Sequence, residues 1–282
     1  MLESDFIVGP SGFRRHNTRP IDATSRIVMC FGGSTTFGMT VEPTDKPYPD
    51  VLEDVLTGTR PGLSDVRVIN AGVPGVHVGY CLDKLTEWNR EVPRVIVFCE
   101  AINWLDRSIR GHVTARNSYL ASVGDSLWTR HRANWNVDRY TGRAYDTRLR
   151  KFVAAVEALP AQLVLMTFAM PYTSQANRDT LRYYDVMQNG QSSAYAAARL
   201  VEVHNEILRD ICREKNIPCV DLARELTGQE DLFIDNCHFT QEGRQRVARL
   251  CAPAIAHLLD ADASPPVEVV DGFDSEKLTA IP

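Results

Sequence analysis

Five short runs of the chain are almost continuously apolar: RIVMCF at 26–31, VRVIN at 66–70, RVIVFC at 94–99, QLVLMTF at 162–168 and IPCVDL at 217–222. They are rich in Val, Ile and Leu, the pattern of strands buried on both faces. Helical patterns lie between and after them. YPDVLEDVL follows the first run and HVGYCLDKLTEWNR the second. DTRLRKFVAAVEAL precedes the fourth. SAYAAARLVEVHNEILRDICREK precedes the fifth, with Leu200, Val203, Ile207 and Ile211 on one stripe. Strands alternating with helices predict an α/β fold, a parallel sheet covered on both faces. A last helix is expected from Thr240, a plausible N-cap, with Glu242 in its first turn. Pro253 falls inside its pattern and predicts a kink or a break.

The pattern also sets boundaries. Residues 1–25 read as an N-terminal arm, 26–260 as the domain, and 261–282 as an acidic, proline-containing tail. Two connections, near 105–145 and 172–192, are too long to be simple turns and are expected to extend over one end of the sheet.

Composition narrows the classes. The 282 residues are 44% hydrophobic, enough for one large core. A net charge of −5 argues against a general nucleic-acid binder. No stretch reaches the apolar length of a membrane span, and the N-terminus shows no signal peptide. The seven cysteines are scattered, without a C-x-x-C pair, which suggests reduced thiols in a cytoplasmic protein. Neither they nor the histidines cluster, so no metal and no cofactor is expected. Charge is uneven: between 105 and 150 lie nine arginines, no lysine and four aspartates. Such a patch can steer an anionic or carrier-bound partner, or pair with the acidic remainder of the chain.

The first apolar run ends in CFGGSTTFG, residues 30–38. In an open α/β sheet, ligands bind beyond the carboxyl ends of the strands, so Ser34 belongs at that edge. Gly32 and Gly33 permit a sharp turn there. The segment lacks the G-K-[ST] of a phosphate loop, and Thr36 breaks the G-x-S-x-G elbow. Ser34 is then a nucleophile or a helix cap. DLFIDNCHFTQEG places Asp235 and His238 three residues apart, just before the last helix. A serine nucleophile needs a base, and the base an orienting acceptor. An oxyanion hole needs donors, which Gly72 N–H in INAGVPG and the Asn103 side chain in CEAINW can offer at the next two strand ends.

The set Ser34, Gly72, Asn103 and His238 resembles the signature residues of the SGNH, or GDSL-type, hydrolases. FGGSTTFG is similar to their first block, INAGVPG to the second, AINW to the third and DNCHFTQEG to the fifth. The third block is usually G-x-N-D; here Ala101 and Trp104 stand at its first and last positions. The resemblance implies a flavodoxin-like three-layer α/β/α sandwich around a five-stranded parallel sheet, and ester hydrolysis through an acyl-enzyme. It implies Ser34 as nucleophile, His238 as base and Asp235 as orienter. Ser34 N–H, Gly72 N–H and Asn103 would form the oxyanion hole.

The expected substrate is a small-molecule or carbohydrate ester, or a thioester. An acyltransferase using the same acyl-enzyme is the alternative within catalysis. A non-catalytic binding module is the alternative outside it. Trp104, Tyr183 and Tyr184 are candidate substrate-lining aromatics, with Trp128 and Trp135 behind them; packing of the insertions onto the core is the plainer reading for most.

Overall fold

The computed structural model describes residues 13–14, 19–39, 45–87, 93–104, 137–187 and 193–261. Most of the arm, most of the first insertion and the tail from 262 therefore lie outside the described residues, as do Trp128, Trp135 and the arginines from Arg107 to Arg132.

The five apolar runs form one sheet: β1 (Arg26–Gly32), β2 (Val66–Gly72), β3 (Val95–Cys99), β4 (Gln162–Met166) and β5 (Cys219–Val220). Its order is β2-β1-β3-β4-β5, and every pairing is parallel. The expected strands are all present, but the last three are shorter than their apolar runs. β5 is an edge strand of two residues, because Pro218 before it lacks an N–H and Asp221 after it caps the next helix.

Alternation along the strands divides the core in two. Ile27, Met29 and Phe31 of β1 join Ile96, Phe98, Leu163 and Leu165 on one face. Val28 and Cys30 join Val95, Val97, Val164 and Met166 on the other. The first face is covered by α3 (Val78–Glu87) and α4 (Arg143–Glu157). The second is covered by α2 (Tyr48–Thr59) and α8 (Gln241–Ala261). The long α6 (Ala194–Lys215) reaches both cores, through Leu200 on one side and Leu208 and Ile211 on the other. Full burial of a Leu, Ile or Phe is worth about 1.5–3 kcal/mol, so these two faces carry much of the fold's stability. The architecture is a three-layer α/β/α sandwich.

Shorter elements gather at the carboxyl edge of the sheet: α1 (Ser34–Phe37) after β1, a 3-10 turn (Ile102–Trp104) after β3, α5 (Arg178–Met187) in the second long connection, and α7 (Leu222–Leu226) after β5. Thr240 caps α8, its Oγ1 accepting from Gly243 N–H at 3.2 Å. The expected break at Pro253 does not occur, and α8 runs through it to Ala261. Pro253 and Arg249, whose carbonyl loses its donor, both lie on the exposed face, where solvent replaces the missing bond. Six of the seven cysteines are buried and Cys219 is exposed. No helix among the described residues is long and apolar enough to cross a membrane.

Candidate active site

β1 delivers Ser34 directly. Gly33 is the N-cap of α1 and Ser34 its first residue, so the serine is not a cap. Its side chain is left for chemistry. His238 Nε2 lies 2.9 Å from Ser34 Oγ, and His238 Nδ1 lies 2.6 Å from Asp235 Oδ2. The carboxylate can only accept, so Nδ1 carries the proton and Nε2 offers its lone pair to the serine hydroxyl. Asp235 Oδ1 also accepts from the N–H groups of Cys237 and His238, at 2.9 and 2.8 Å. Burial pushes the Asp235 carboxyl up, but the His238 ring and these two amides outweigh it and hold the group below its usual range. Asp235 is therefore ionised at neutral pH.

The loop bearing this pair is closed on itself. Ile234 N–H donates to His238 O at 2.8 Å and Thr240 N–H to Leu232 O at 2.9 Å. Phe233 and Phe239 pair across its neck, both buried, with ring centroids 4.8 Å apart. Two apolar anchors thus fix a polar loop between them. Asp235, Cys237 and His238 bring ligand-type atoms within 4.8 Å of one another. Both ring nitrogens and both carboxylate oxygens are already engaged, and burial pushes the Cys237 thiol up.

The glycines before Ser34 serve a different end from the one expected. Neither adopts a left-handed φ. A Cβ on Gly32 would lie 2.4 Å from Cys99 O, and one on Gly33 only 2.3 Å from Asn103 Nδ2. They are needed for close approach. The second contact places the Asn103 amide against the peptide preceding Ser34. Asn103 Nδ2 gives one hydrogen bond to Val76 O at 2.8 Å, which leaves its second N–H available. The Ser34 N–H, at the start of α1, has no partner among the described residues.

Gly72 departs from expectation. Its N–H is not exposed; it donates to Asn70 Oδ1 at 3.0 Å inside the buried strand end. A Cβ there would lie 2.3 Å from Phe37 N, so this glycine lets β2 pack against α1. Three residues on, Gly75 has φ +74 in the turn closed by Val76 N–H to Val73 O, with open space around it. That turn is tied to Asn103 through Val76 O. The second glycine of INAGVPG was the signal to weigh, since φ > 0 at the third position of a turn calls for glycine.

Tyr184 is buried, stacked on Tyr172 with centroids 4.3 Å apart. Burial pushes its hydroxyl up to about 12, helped by the charges of Glu230 and Asp235. Tyr183 is 58% exposed and meets Tyr184 edge-on. Tyr184 is thus a core residue beside the triad loop, and neither ring bonds to the triad. Trp104 closes the 3-10 turn with its backbone; its side chain lies outside the described residues. Arg150 is paired with Asp146 and Glu214, so this arginine of the basic segment is engaged within the chain.

Buried polar groups that the sequence reading passed over support the Asn103 turn. Glu100, 1% exposed, accepts from Asn103 N–H at 2.8 Å. Tyr145 Oη donates to Glu100 O at 2.9 Å. His204, wholly buried in α6, lies with Nδ1 2.9 Å from Ala101 O and Nε2 2.7 Å from Tyr140 Oη. Burial lowers its pKa to about 3, so it is neutral; Nδ1–H donates to the carbonyl and Nε2 accepts from the tyrosine.

No curated protein matches the sequence. Solved structures do match in fold. A catalytic mutant of Axe2, an acetylxylan esterase from Geobacillus stearothermophilus, superposes with a TM-score of 0.56 at 17% identity, covering 84% of this chain and 96% of that one. LAE5, an alpha/beta hydrolase enzyme from the metagenome of Lake Arreo, gives 0.53 at 16%, covering 84% and 98%. The sequence matches the GDSL-like Lipase/Acylhydrolase family over residues 30–246, from the end of β1 into α8. With that span holding Ser34, Asn103, Asp235 and His238, the chain belongs to the GDSL-like lipase/acylhydrolase family, as a carboxylic ester hydrolase of the SGNH type.

Proposed function

We propose that the chain is a serine esterase working through an acyl-enzyme on a small-molecule or carbohydrate ester. The observation that carries this reading is the unbroken line from Asp235 through His238 to Ser34, at 2.6 and 2.9 Å. Ser34 Oγ attacks the ester carbonyl carbon as its proton passes to His238 Nε2. The carbonyl oxygen becomes an oxyanion, met by Ser34 N–H and the second Asn103 Nδ2–H. We assign the third donor to Gly75 N–H in place of Gly72 N–H, because the latter is held by Asn70. Collapse expels the alcohol, which takes the proton from His238 and leaves Ser34 acylated. Water then attacks, His238 removes its proton, and the acid departs with Ser34 reprotonated.

Acetylated sugars are the first substrates to try, since a structure of the same fold carries the description acetylxylan esterase. The experiment is fluorophosphonate labelling with intact mass and peptide mapping, alongside a panel of acetyl and longer acyl esters and thioesters. The expected result is one adduct on Ser34 and turnover lost in Ser34→Ala. An unlabelled protein without turnover overturns the reading.

A further inference from the structure

We propose that Glu100 is a positioning residue for catalysis, its buried carboxyl stapling together the two loops that supply the oxyanion donors. The inference rests on the reading of Asn103 as such a donor. Glu100 Oε1 accepts from Asn103 N–H at 2.8 Å, fixing the 3-10 turn after β3. The same carboxyl faces Val78 N–H at the start of α3, just past the 73–76 turn, and that amide favours its charged form. Asn103 Nδ2 then reaches back to Val76 O at 2.8 Å. One carboxyl and one amide thus lock the second and third strand ends to each other. A Cβ built on Gly33 would sit 3.7 Å from Glu100 Cγ, so the staple lies directly beneath the peptide that leads to Ser34.

A carboxyl in this place needs an explanation. Nothing in packing alone asks for a carboxyl at the buried end of β3, and Glu100 Oε2 has no hydrogen-bond partner among the described residues. The neighbouring groups are Cys99 on β3, Cys81 on α3 and Tyr145 on α4, with His204 of α6 stacked on Tyr145 at 3.8 Å. His77 precedes α3, and Arg148 of α4 lies over Gly79, but Arg148 is exposed. None of these gives the carboxylate a buried cation. Burial therefore pushes Glu100 up to about 8, against the two amide bonds that lower it. At neutral pH it is a neutral acid whose carbonyl-type oxygen accepts from Asn103 N–H, with Val78 N–H of the other loop facing the same carboxyl. Ionisation would set a negative charge beside the point where the oxyanion develops, and charge of that sign opposes the transition state.

The test separates this inference from the hydrolase reading. Wild-type protein is first treated with the fluorophosphonate; no adduct on Ser34 overturns both. With the adduct present, Glu100→Gln and Glu100→Leu are compared with wild type on a neutral ester across the range around pH 8 where Glu100 titrates. Wild-type kcat should fall on the alkaline side with KM steady. Glu100→Leu, which has no acceptor, should lose about tenfold or more in kcat at unchanged KM. Glu100→Gln, which accepts but does not ionise, should restore kcat to within about threefold of wild type and abolish the alkaline fall. An alkaline fall that persists in Glu100→Gln overturns the inference, as does wild-type kcat in Glu100→Leu. If Glu100→Leu does not fold, the Gln profile decides alone.

Discussion

The triad and the oxyanion edge lie side by side at one end of the sheet, yet they are built differently. The triad joins side chain to side chain: Asp235 to His238 to Ser34. The oxyanion edge joins side chain to backbone: Asn103 to Val76 O, Glu100 to Asn103 N–H, Tyr145 to Glu100 O, His204 to Ala101 O. The first is defined by what its residues are. The second is defined by where main-chain groups are held, and two of the holders, Tyr145 and His204, come from α4 and α6, far away in sequence. The sharpest way to expose this contrast is to remove each kind of part. Ser34→Ala and His238→Ala should each lower kcat by about 10⁴-fold or more, and the double variant should be scarcely worse, because the two act as one unit. Steady-state kinetics with a burst-phase assay checks this; additive losses would break the unit.

On the oxyanion side the expected effect is smaller and can be reached from two directions. Asn103→Ala should lower kcat by about a hundredfold with KM nearly unchanged. Gly33→Ala removes no donor, yet its Cβ would lie 2.3 Å from Asn103 Nδ2, so the amide must move. It should therefore reproduce most of the Asn103→Ala loss, and the double variant should match Asn103→Ala alone. A Gly33→Ala enzyme with wild-type kcat would show that the amide tolerates displacement and would remove Asn103 from the oxyanion hole.

This difference in construction also decides what the sequence reveals. All five strands, their parallel direction and the covering helices follow from apolar runs alternating with amphipathic segments. Ser34, Asp235 and His238 are legible for a similar reason: Ser34 follows a strand end, Asp235 and His238 precede the last helix, and it is their side chains that meet in one hydrogen-bonded line. Gly72 misleads because a backbone donor carries no mark of its own. Only the fold shows that Asn70 takes its N–H while Gly75 stands open at φ +74. Glu100 and His204 escape notice because a lone buried Glu or His looks like any other until its partners 3 to 103 residues away are known. The Pro253 break is overestimated because exposure of the orphaned carbonyl cannot be read from the order of residues.

The two glycines of INAGVPG offer a graded version of the same contrast. Gly72→Ala pushes a Cβ into the Phe37 and Thr36 backbone, which cannot rotate away. It should destabilise the protein by about 1–3 kcal/mol, as overpacking does, and shift α1 enough to lower kcat as well. Gly75→Ala meets open space and suffers only from its left-handed φ, worth about 1 kcal/mol. Chemical denaturation of both variants checks the order; a Gly75→Ala more damaging than Gly72→Ala would reverse the assignment of which glycine packs and which turns.

The change that is smallest at any one pH concerns the two buried groups behind the oxyanion edge, whose protonation pulls stability in opposite directions. His204 is held at about 3 when folded against 6.5 when free. Between those values the unfolded chain binds a proton that the folded one refuses, so stability rises with pH. Glu100 is held at about 8 against 4.5. Between those values the folded chain keeps a proton that the unfolded one has released, so stability falls with pH. From 4.5 to 6.5 both windows overlap and the slopes, each up to about 1.4 kcal/mol per pH unit, oppose one another. Wild type should therefore be nearly flat there as far as this pair is concerned. His204→Gln should leave Glu100 unopposed, so that its stability relative to wild type falls as pH rises through the window. Glu100→Gln should show the reverse trend. Denaturant midpoints measured for the three proteins across the window read out the sign directly. Parallel curves for wild type and His204→Gln would mean that His204 takes up its proton in the folded state, with Nε2 donating to the Tyr140 hydroxyl in place of accepting from it.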